Sequence, residues 1–146
     1  MPISAEVFII NVMAIKKAQG DLGEAMIMAE VMKRGYKVAL PVGEDWRYDM
    51  IVLRKGKLER IQCKFTKSKG DIVTVRCRSL NNWNEIRYCD KDIDWLAVYD
   101  QTTDQCYFIN ASMLGKLGRA TISLRLTPTK NKQKKLILWA KDYVEW

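Results

Sequence analysis

The sequence predicts a mixed α/β fold, and three observations lead to that prediction. Residues 19–34 are rich in Ala, Met and Glu, which is the composition of a helix. Short runs of β-branched and aromatic residues follow, and residues 72–78 alternate apolar with polar side chains as a half-buried strand does. No repeat, low-complexity tract or linker interrupts the 146 residues. We therefore expect one domain over residues 1–146.

The composition excludes several classes of protein. Hydrophobic residues make up 48% and charged residues 29%, so the chain can bury a core. The sequence contains no His, which excludes His-based catalytic triads, His metal ligands and imidazole acid–base chemistry within this chain. No apolar run approaches the ~20 residues of a membrane span. The 25 Lys and Arg exceed the 17 Asp and Glu, and the net charge of +8 indicates a polyanionic partner such as nucleic acid.

The four cysteines indicate a reducing compartment. They are Cys63, Cys77, Cys89 and Cys106, and no two of them form a C-x-x-C pair. Without His, a zinc site would need all four of these scattered residues, which does not match the usual ligand spacings. Free thiols inside strand-like runs behave as small buried hydrophobes. We therefore expect a cytoplasmic protein with no membrane association.

The sequence predicts where the first helix ends but not where the preceding residues belong. Gly35 follows the helical composition of residues 19–34 and acts as a C-terminal stop. Asp21 and Glu24 lie in the first turns of this predicted helix, where negative charge suits the helix dipole. Residues 1–12 are unusually apolar. They are either an extension outside the core or an additional strand.

A predicted hairpin brings three polar residues to one face. The strand-like runs 48–53 and 58–65 are joined by four residues centred on Lys55-Gly56. If those two form the turn, Asp49 lies opposite Gln62, and Lys64 lies on the same face two residues later. A three-residue turn would shift this register by one.

The remaining elements follow from shorter patterns. We expect a strand at residues 36–42, a polar loop at 81–92 with Trp83 in it, and a buried hairpin of residues 95–99 and 106–110. A short helix at 112–117, a strand at 121–126 and a basic loop at 128–131 come next. Residues 133–146 are compatible with either helix or extended chain.

Glu24, Asp49, Gln62 and Lys64 together suggest phosphodiester hydrolysis. Their side-chain oxygens are the ligands that a hard divalent cation such as Mg²⁺ prefers. A neighbouring lysine can orient or deprotonate the attacking water and stabilise the charge of the transition state. Taken singly, each residue has an ordinary explanation: a first-turn helix charge, a residue at the start of a strand, or a solvated lysine.

Four ordered segments resemble the PD-(D/E)XK nuclease superfamily. They are Gly20-Asp21-Leu22-Gly23-Glu24, Gly35-Tyr36-Lys37-Val38, Arg47-Tyr48-Asp49-Met50-Ile51-Val52 and Arg60-Ile61-Gln62-Cys63-Lys64. Segments 92–99, 124–126 and 131–133 further resemble the branch that includes group I intron homing endonucleases. The resemblance spans residues 16–143. It implies an αβββ restriction-endonuclease-like core with additional C-terminal strands and helix.

The resemblance also implies roles for individual residues. Asp49 matches the metal-binding Asp, Lys64 the catalytic Lys, and Glu24 the helix Glu that some members add to the metal shell. Cys63 stands where the family lends a backbone carbonyl to the metal. Gln62 departs from the usual Asp or Glu, which lowers the charge of the site, but the intron-endonuclease branch is similar in carrying Gln there. The implied cofactor is Mg²⁺, with Mn²⁺ as a substitute.

Two basic clusters are candidate DNA contacts. They contain Lys67, Lys69, Thr74, Arg76 and Arg78, then Lys130, Asn131 and Gln133. Lys and Arg in such clusters usually bind phosphates, and Arg on a strand pair in the major groove can read guanine. A solvated sheet face explains the alternating residues 74, 76 and 78 as well. Trp83 and its Asn neighbours either enter a groove or cap the core.

The expected function is a Mg²⁺-dependent, site-specific double-strand DNA endonuclease of the homing type, in which a metal-activated water hydrolyses the phosphodiester. A four-way (Holliday) junction resolvase and a catalytically decayed DNA-binding protein are the alternatives. One small domain offers one active site, so cutting both strands favours a homodimer or homotetramer. Trp139, Tyr143 and Trp146 are either interface aromatics or core residues.

Overall fold

The computed structural model describes residues 2–81 and 83–146. Met1 and Asn82, which fall within the predicted segments 1–12 and 81–92, lie outside the described residues. Within the described residues, one helix, α1 (Ala5–Lys33), is followed by ten strands and two short 3₁₀ helices. The strands are β1 (Lys37–Ala39), β2 (Met50–Arg54), β3 (Lys57–Thr66), β4 (Ile72–Arg76), β5 (Arg78–Asn81), β6 (Asn84–Arg87), β7 (Trp95–Asp100), β8 (Gln105–Asn110), β9 (Thr121–Arg125) and β10 (Leu138–Trp139). The 3₁₀ helices are Ala111–Met113 and Ala140–Tyr143.

The strands form three sheets, and the mixed α/β class is confirmed. The five-stranded sheet has the order β1-β2-β3-β7-β8, in which β3 and β7 are parallel and the other pairs antiparallel. A three-stranded sheet has the order β10-β9-β4, and β5 with β6 forms a separate ribbon. Helix α1 followed by β1, β2 and β3 is the αβββ core that the sequence predicts.

Two apolar layers lie on opposite faces of the five-stranded sheet. On one face, Ile27 and Val31 of α1 are fully buried against residues such as Ile61. On the other face, residues such as Leu96 and Val98 pack against Val75, Ile122 and their neighbours from the three-stranded sheet. The alternation of side chains along β3 therefore sends Ile61 and Cys63 to the helix, and Gln62 and Lys64 to the opposite face.

Helix α1 is longer than the sequence predicts. It begins at the N-cap Ser4, whose hydroxyl accepts a hydrogen bond from the Val7 backbone N–H (3.3 Å). Residues 5–12 are thus helical and do not form an additional strand. The predicted end is confirmed, since Gly35 follows the helix with a φ of 85°. The first half carries exposed apolar side chains, including Phe8 (61%) and Ile10 (65%).

The predicted register of the β2–β3 hairpin is confirmed. Met50 pairs with Ile61 and Arg54 with Lys57, which leaves Lys55 and Gly56 as the two turn residues. Both have positive φ, 50° and 76°, as a type I′ turn requires. The two-residue turn therefore applies, and Asp49 lies opposite Gln62.

Several predicted elements differ from the structure. Residues 81–92 are not one loop, because β5 and β6 form a ribbon whose tip carries the fully exposed Trp83; this residue does not cap the core. Cys77 separates β4 from β5: its N–H donates to the Ala120 carbonyl, and its own carbonyl accepts from the Tyr88 N–H. Arg78 therefore belongs to the ribbon, and does not continue the β4 face that carries Thr74 and Arg76.

The C-terminal region contains less helix than the sequence predicts. The helix predicted at residues 112–117 is the single 3₁₀ turn Ala111–Met113, and residues 133–146 contain β10 and a second 3₁₀ turn. Trp146 stacks on Phe108 with ring centroids 4.6 Å apart, and Tyr143 packs against the second apolar layer. These contacts favour the core explanation for both aromatics. Within the described part of the chain, no helix has the length and apolar character needed to cross a bilayer.

Candidate active site

Asp49 and Gln62 are joined across the β2–β3 hairpin. Asp49 precedes β2 directly, and its N–H donates to the Ile61 carbonyl at 2.8 Å. Its Oδ2 accepts two hydrogen bonds of 2.7 Å, from the Gln62 Nε2 and from the Cys63 backbone N–H. One carboxylate oxygen is thus fixed by the hairpin itself, and Oδ1 is left for a ligand.

Glu24 reaches the site from α1 because the helix approaches β3 closely. A Cβ at the neighbouring Gly23 would lie 3.0 Å from the Phe65 Cβ and 3.3 Å from the Lys64 carbonyl oxygen. Only glycine permits this contact without displacement of the helix or strand. Glu24 and Asp49 then line one cleft. The sequence predicted this pairing only through the family resemblance.

Both carboxyl groups have raised pKa values. Partial burial raises the pKa of Glu24, and the nearby Asp49 charge raises it further. For Asp49, burial raises the pKa and outweighs the opposing effects of the Cys63 N–H and of Lys64. The charged forms of both groups are therefore less favoured than in exposed carboxyls, and a bound cation would stabilise them.

Lys64 lies on the same face of β3 as Gln62. Its Nζ donates to the Arg78 carbonyl at 3.3 Å and lies 4.8 Å from the centre of the Tyr88 ring. Burial lowers the pKa of Lys64, although the Asp49 charge opposes this effect. An ammonium with a lowered pKa loses its proton more readily, which suits exchange of a proton with a bound water.

The oxygen atoms of this site fit a hard divalent cation. Carboxylate oxygens of Glu24 and Asp49, the Gln62 amide oxygen and the Cys63 carbonyl are the donors that Mg²⁺ prefers. The Cys63 thiol is buried and its pKa is raised well above the ordinary value, so it stays protonated and is not a ligand. The Gln62 Nε2 faces Asp49, so the amide group must rotate by half a turn to present its oxygen to a cation.

A soft-metal site is not found in the described residues. Across residues 2–81 and 83–146, no group of three or more His, Cys, Asp or Glu side chains is placed to hold a metal. Cys63, Cys77, Cys89 and Cys106 are free thiols. The Glu24–Asp49 site therefore has two carboxylates supplemented by neutral oxygens.

Two clefts of opposite charge flank the site. We call the first the acidic cleft; it is lined by Glu24, Leu40, Pro41, Gly43, Glu44, Asp45, Trp46, Tyr48 and Asp49. We call the second the basic cleft; it is lined by Lys16, Gln19, Gly20, Cys63, Lys64, Phe65, Thr66, Lys67, Lys69 and Arg76. The predicted DNA contacts Lys67, Lys69 and Arg76 are thus brought together with Lys64.

Other predicted DNA contacts lie elsewhere. Arg78 is ion-paired with Glu85 at 2.6 Å within the β5–β6 ribbon. Thr74 is exposed on β4, and its carbonyl accepts a hydrogen bond from the Thr66 hydroxyl. Lys130, Asn131 and Gln133 are exposed between β9 and β10, outside both clefts. Their DNA contacts stay predictions.

Sequence reasoning missed Lys16, Gln19 and Gly20 of the basic cleft. A signal for two of them was present, because Lys16, Gly20 and Glu24 are spaced four residues apart and share one helix face. That signal becomes readable only when residues 5–18 are assigned to the helix.

Comparisons with known proteins agree with this geometry. A family model described as PD-(D/E)XK endonuclease matches residues 14–145. The solved structure of a bacterial homing endonuclease, I-Ssp6803I, is similar with a TM-score of 0.64 and 21% sequence identity, and the match covers 88% of this chain and 88% of that chain. No curated protein matches in sequence. The family match extends over most of the chain and confirms the resemblance drawn from the four motifs. The chain therefore belongs to the PD-(D/E)XK endonuclease family and is a DNA endonuclease.

Proposed function

We propose that this chain is a Mg²⁺-dependent, site-specific double-strand DNA endonuclease of the homing type. Enzymes of the family generally use divalent metals. The observation that carries the proposal is the placement of Glu24, Asp49 and Gln62 beside Lys64, with one Asp49 oxygen fixed by two 2.7 Å hydrogen bonds. These side chains combine a hard-cation site with an ammonium of lowered pKa.

Residues of the hairpin and α1 would hold the ion. Asp49 and Glu24 supply its negative ligands, and Gln62 with the Cys63 carbonyl supplies neutral ones. A divalent ion, when bound, provides Lewis-acid activation of the phosphodiester and of the attacking water. Because Gln62 brings no charge, metal affinity is expected to be lower than with a third carboxylate.

Lys64 would act on the water and on the developing charge. Its Nζ is positioned by the Arg78 carbonyl and by the Tyr88 ring, and it interacts with the Asp49 charge. As a neutral amine, Lys64 can accept a proton from the attacking water; as an ammonium, it can stabilise the additional negative charge on the phosphate in the transition state.

The homing type rests on two similarities. Gln62 occupies the position that carries Gln in the intron-endonuclease branch, and the fold is similar to that of I-Ssp6803I. A four-way junction resolvase is the second candidate, because the clefts and the positive charge would serve a branched substrate equally well. A catalytically decayed DNA-binding protein is the third, with the neutral Gln62 as the altered ligand.

We further propose that two or four copies assemble, and that the protein works in the cytoplasm. Each chain holds one candidate site, so two copies are needed to cut both strands. The first half of α1 supports association, because its apolar side chains, Phe8 and Ile10 among them, are exposed on a helix that is apolar on most sides. The free cysteines support a reducing compartment.

The test compares substrates and variants in the same buffer. Purified protein is incubated with genomic DNA of the source organism and with a synthetic four-way junction, with Mg²⁺ or with EDTA. We expect cleavage at discrete genomic positions with Mg²⁺ only, and its loss in Lys64→Ala and in Asp49→Ala. Lys57→Ala, an exposed lysine at the far end of β3, is the matched control and should cut normally.

Three results would contradict parts of the proposal. Full cleavage by both Lys64→Ala and Asp49→Ala would refute the assigned site. Cutting of the junction alone would replace the homing endonuclease with a resolvase. DNA binding with no cleavage of any substrate would favour the decayed protein, and Mn²⁺ titration of wild type against Asp49→Ala would then show whether the metal site persists.

A further inference from the structure

We propose that the basic cleft binds the sugar–phosphate backbone of one DNA strand, and that Lys16 and Gly20 of α1 form one wall of this track. The inference rests on the proposed function, because the bound strand is the one that presents its phosphate to Lys64. It adds a path for that strand and two residues that the motifs do not contain.

The charge of the basic cleft supports a polyanionic ligand. Three elements and a loop converge on it, with Lys16 from α1, Lys64 from β3, Lys67 and Lys69 from the following loop, and Arg76 from β4. The other lining residues are uncharged, and no carboxylate is among them. Four of these cationic side chains are exposed, and their like charges repel one another: Lys16, Lys67, Lys69 and Arg76. Such a convergence of cations is favourable when successive phosphates lie between them.

The size and openness of the cleft suit a chain that passes through. Its volume is about 560 Å³, and its lining includes Lys64, which interacts with the Asp49 charge. Gln19 and Thr66 add uncharged hydrogen-bonding groups between the cations, as is common where side chains contact phosphates and sugars.

Gly20 is the second and independent observation. It lies in the middle of α1, where glycine is unfavourable relative to alanine. Gly23, one turn on, is explained by its contact with β3, but a Cβ at Gly20 would meet nothing within 4 Å. Packing inside the chain therefore does not account for Gly20. A glycine in the wall of the cleft lets a ligand approach the helix backbone closely.

The acidic cleft fixes the side on which the strand lies. It carries Glu24, Glu44, Asp45 and Asp49 without a basic residue among its lining residues, so it repels phosphates and attracts cations. A DNA strand therefore runs through the basic cleft, and the two carboxylate ligands, Glu24 and Asp49, lie in the acidic cleft. The phosphate to be cut is the one that reaches the boundary between the two clefts.

Binding is tested without cleavage, in EDTA, by fluorescence anisotropy with a labelled duplex of about 30 base pairs over a range of salt concentrations. We expect Lys16→Ala to weaken binding roughly fivefold at 0.1 M salt, and to reduce the slope of log K against log salt by about 1. The matched control is Lys57→Ala, which removes the same charge at a position about 23 Å from Lys64 along β3. It should leave the slope unchanged.

Gly20→Ala tests whether DNA lies against the backbone of α1, because this substitution changes no charge. We expect it to weaken binding several-fold with an unchanged salt slope, because it adds bulk and removes no charge, while circular dichroism shows an intact helix. Unchanged affinity in both Lys16→Ala and Gly20→Ala would overturn the inference. Because no cleavage is measured, loss of binding in these variants supports the DNA track even if the wild type proves inactive. If the wild type cleaves DNA but both variants bind with unchanged affinity, the track is refuted and the proposed function stands.

Discussion

The Nε2 atom of Gln62 lies 2.7 Å from the Oδ2 atom of Asp49, across a hairpin whose turn residues fix their register. Gln62 is almost completely buried, so its amide needs this partner. A neutral side chain at this position can donate to Asp49 when no metal is bound. The hydrogen bonding of Asp49 and residue 62 is therefore satisfied in the metal-free protein. A carboxylate at position 62 could not donate this hydrogen bond.

Gln62→Glu should make the stability of the fold depend on metal. Two carboxylates at this distance repel each other and cannot both stay charged without a cation. We expect the Tm to fall by several degrees in EDTA and to recover with Mg²⁺, because a bound cation offsets the repulsion. Differential scanning fluorimetry in EDTA and in excess Mg²⁺ measures both effects. An equal Tm for variant and wild type in EDTA would show that a carboxylate at position 62 does not destabilise the metal-free protein by repelling Asp49.

Gly23→Ala should destabilise the fold, whereas Gly20→Ala should stabilise it. A Cβ at Gly23 would press on Phe65 and on the Lys64 carbonyl, and such overpacking costs about 1–3 kcal/mol, which exceeds the ~1 kcal/mol gained from helix propensity. At Gly20 there is space, so only the gain of about 0.5–1 kcal/mol applies. Urea unfolding of both variants measures this. Equal free energies of unfolding for the two variants would show that α1 does not approach β3 as described.

The Asp94–Arg60 pair should make stability fall in acid. Asp94 accepts hydrogen bonds from the Arg60 N–H (2.7 Å), Nε (3.1 Å) and Nη2 (3.1 Å) at the start of β7. Burial acts to raise the pKa of Asp94, but these bonds together outweigh it and lower the pKa below its ordinary value of 3.8.

The stabilisation from Asp94 is therefore present above pH 3.8 and is lost as the pH falls through the lowered value. Because the pair is about one-third exposed, we expect Asp94→Ala to cost only about 1 kcal/mol near pH 7. Urea unfolding at pH 7 and pH 3 measures the difference between variant and wild type, which should shrink in acid. A difference that stays the same at both values would contradict the assignment.

The β2–β3 hairpin could be predicted in detail because its determinants are local. Lys55 and Gly56 form the turn, and the turn fixes which residues face each other, so Asp49, Gln62 and Lys64 followed from spacing alone. The end of α1 at Gly35 is equally local. Family membership then supplied Glu24, whose closeness to Asp49 depends on packing between elements.

The start of α1 and the β5–β6 ribbon were missed for different reasons. Residues 5–12 contain Val and Ile, whose low helix propensity is overridden by continuity with the helix that follows. The ribbon lacks apolar alternation because it packs on few neighbours, and its tip relies on the positive φ of Trp83 (75°), an unusual residue for that conformation. Lys16 was missed as a consequence, since its place beside Lys64 depends on the contact of α1 with β3 at Gly23.

Binding of a divalent cation should weaken in mild acid, because protons compete for the two carboxylates of the site. Burial raises the pKa values of Glu24 and Asp49 above their ordinary 4.5 and 3.8, and the Asp49 charge raises that of Glu24 further, so both take up protons at a higher pH than exposed carboxyls. Below those raised values, affinity falls up to about tenfold per pH unit for each group that must lose a proton. Calorimetric titration with Mn²⁺ at several pH values between 7.5 and 4 measures the slope, which should be shallower in Glu24→Gln. A constant affinity over this range would mean that these carboxylates do not ligate the ion.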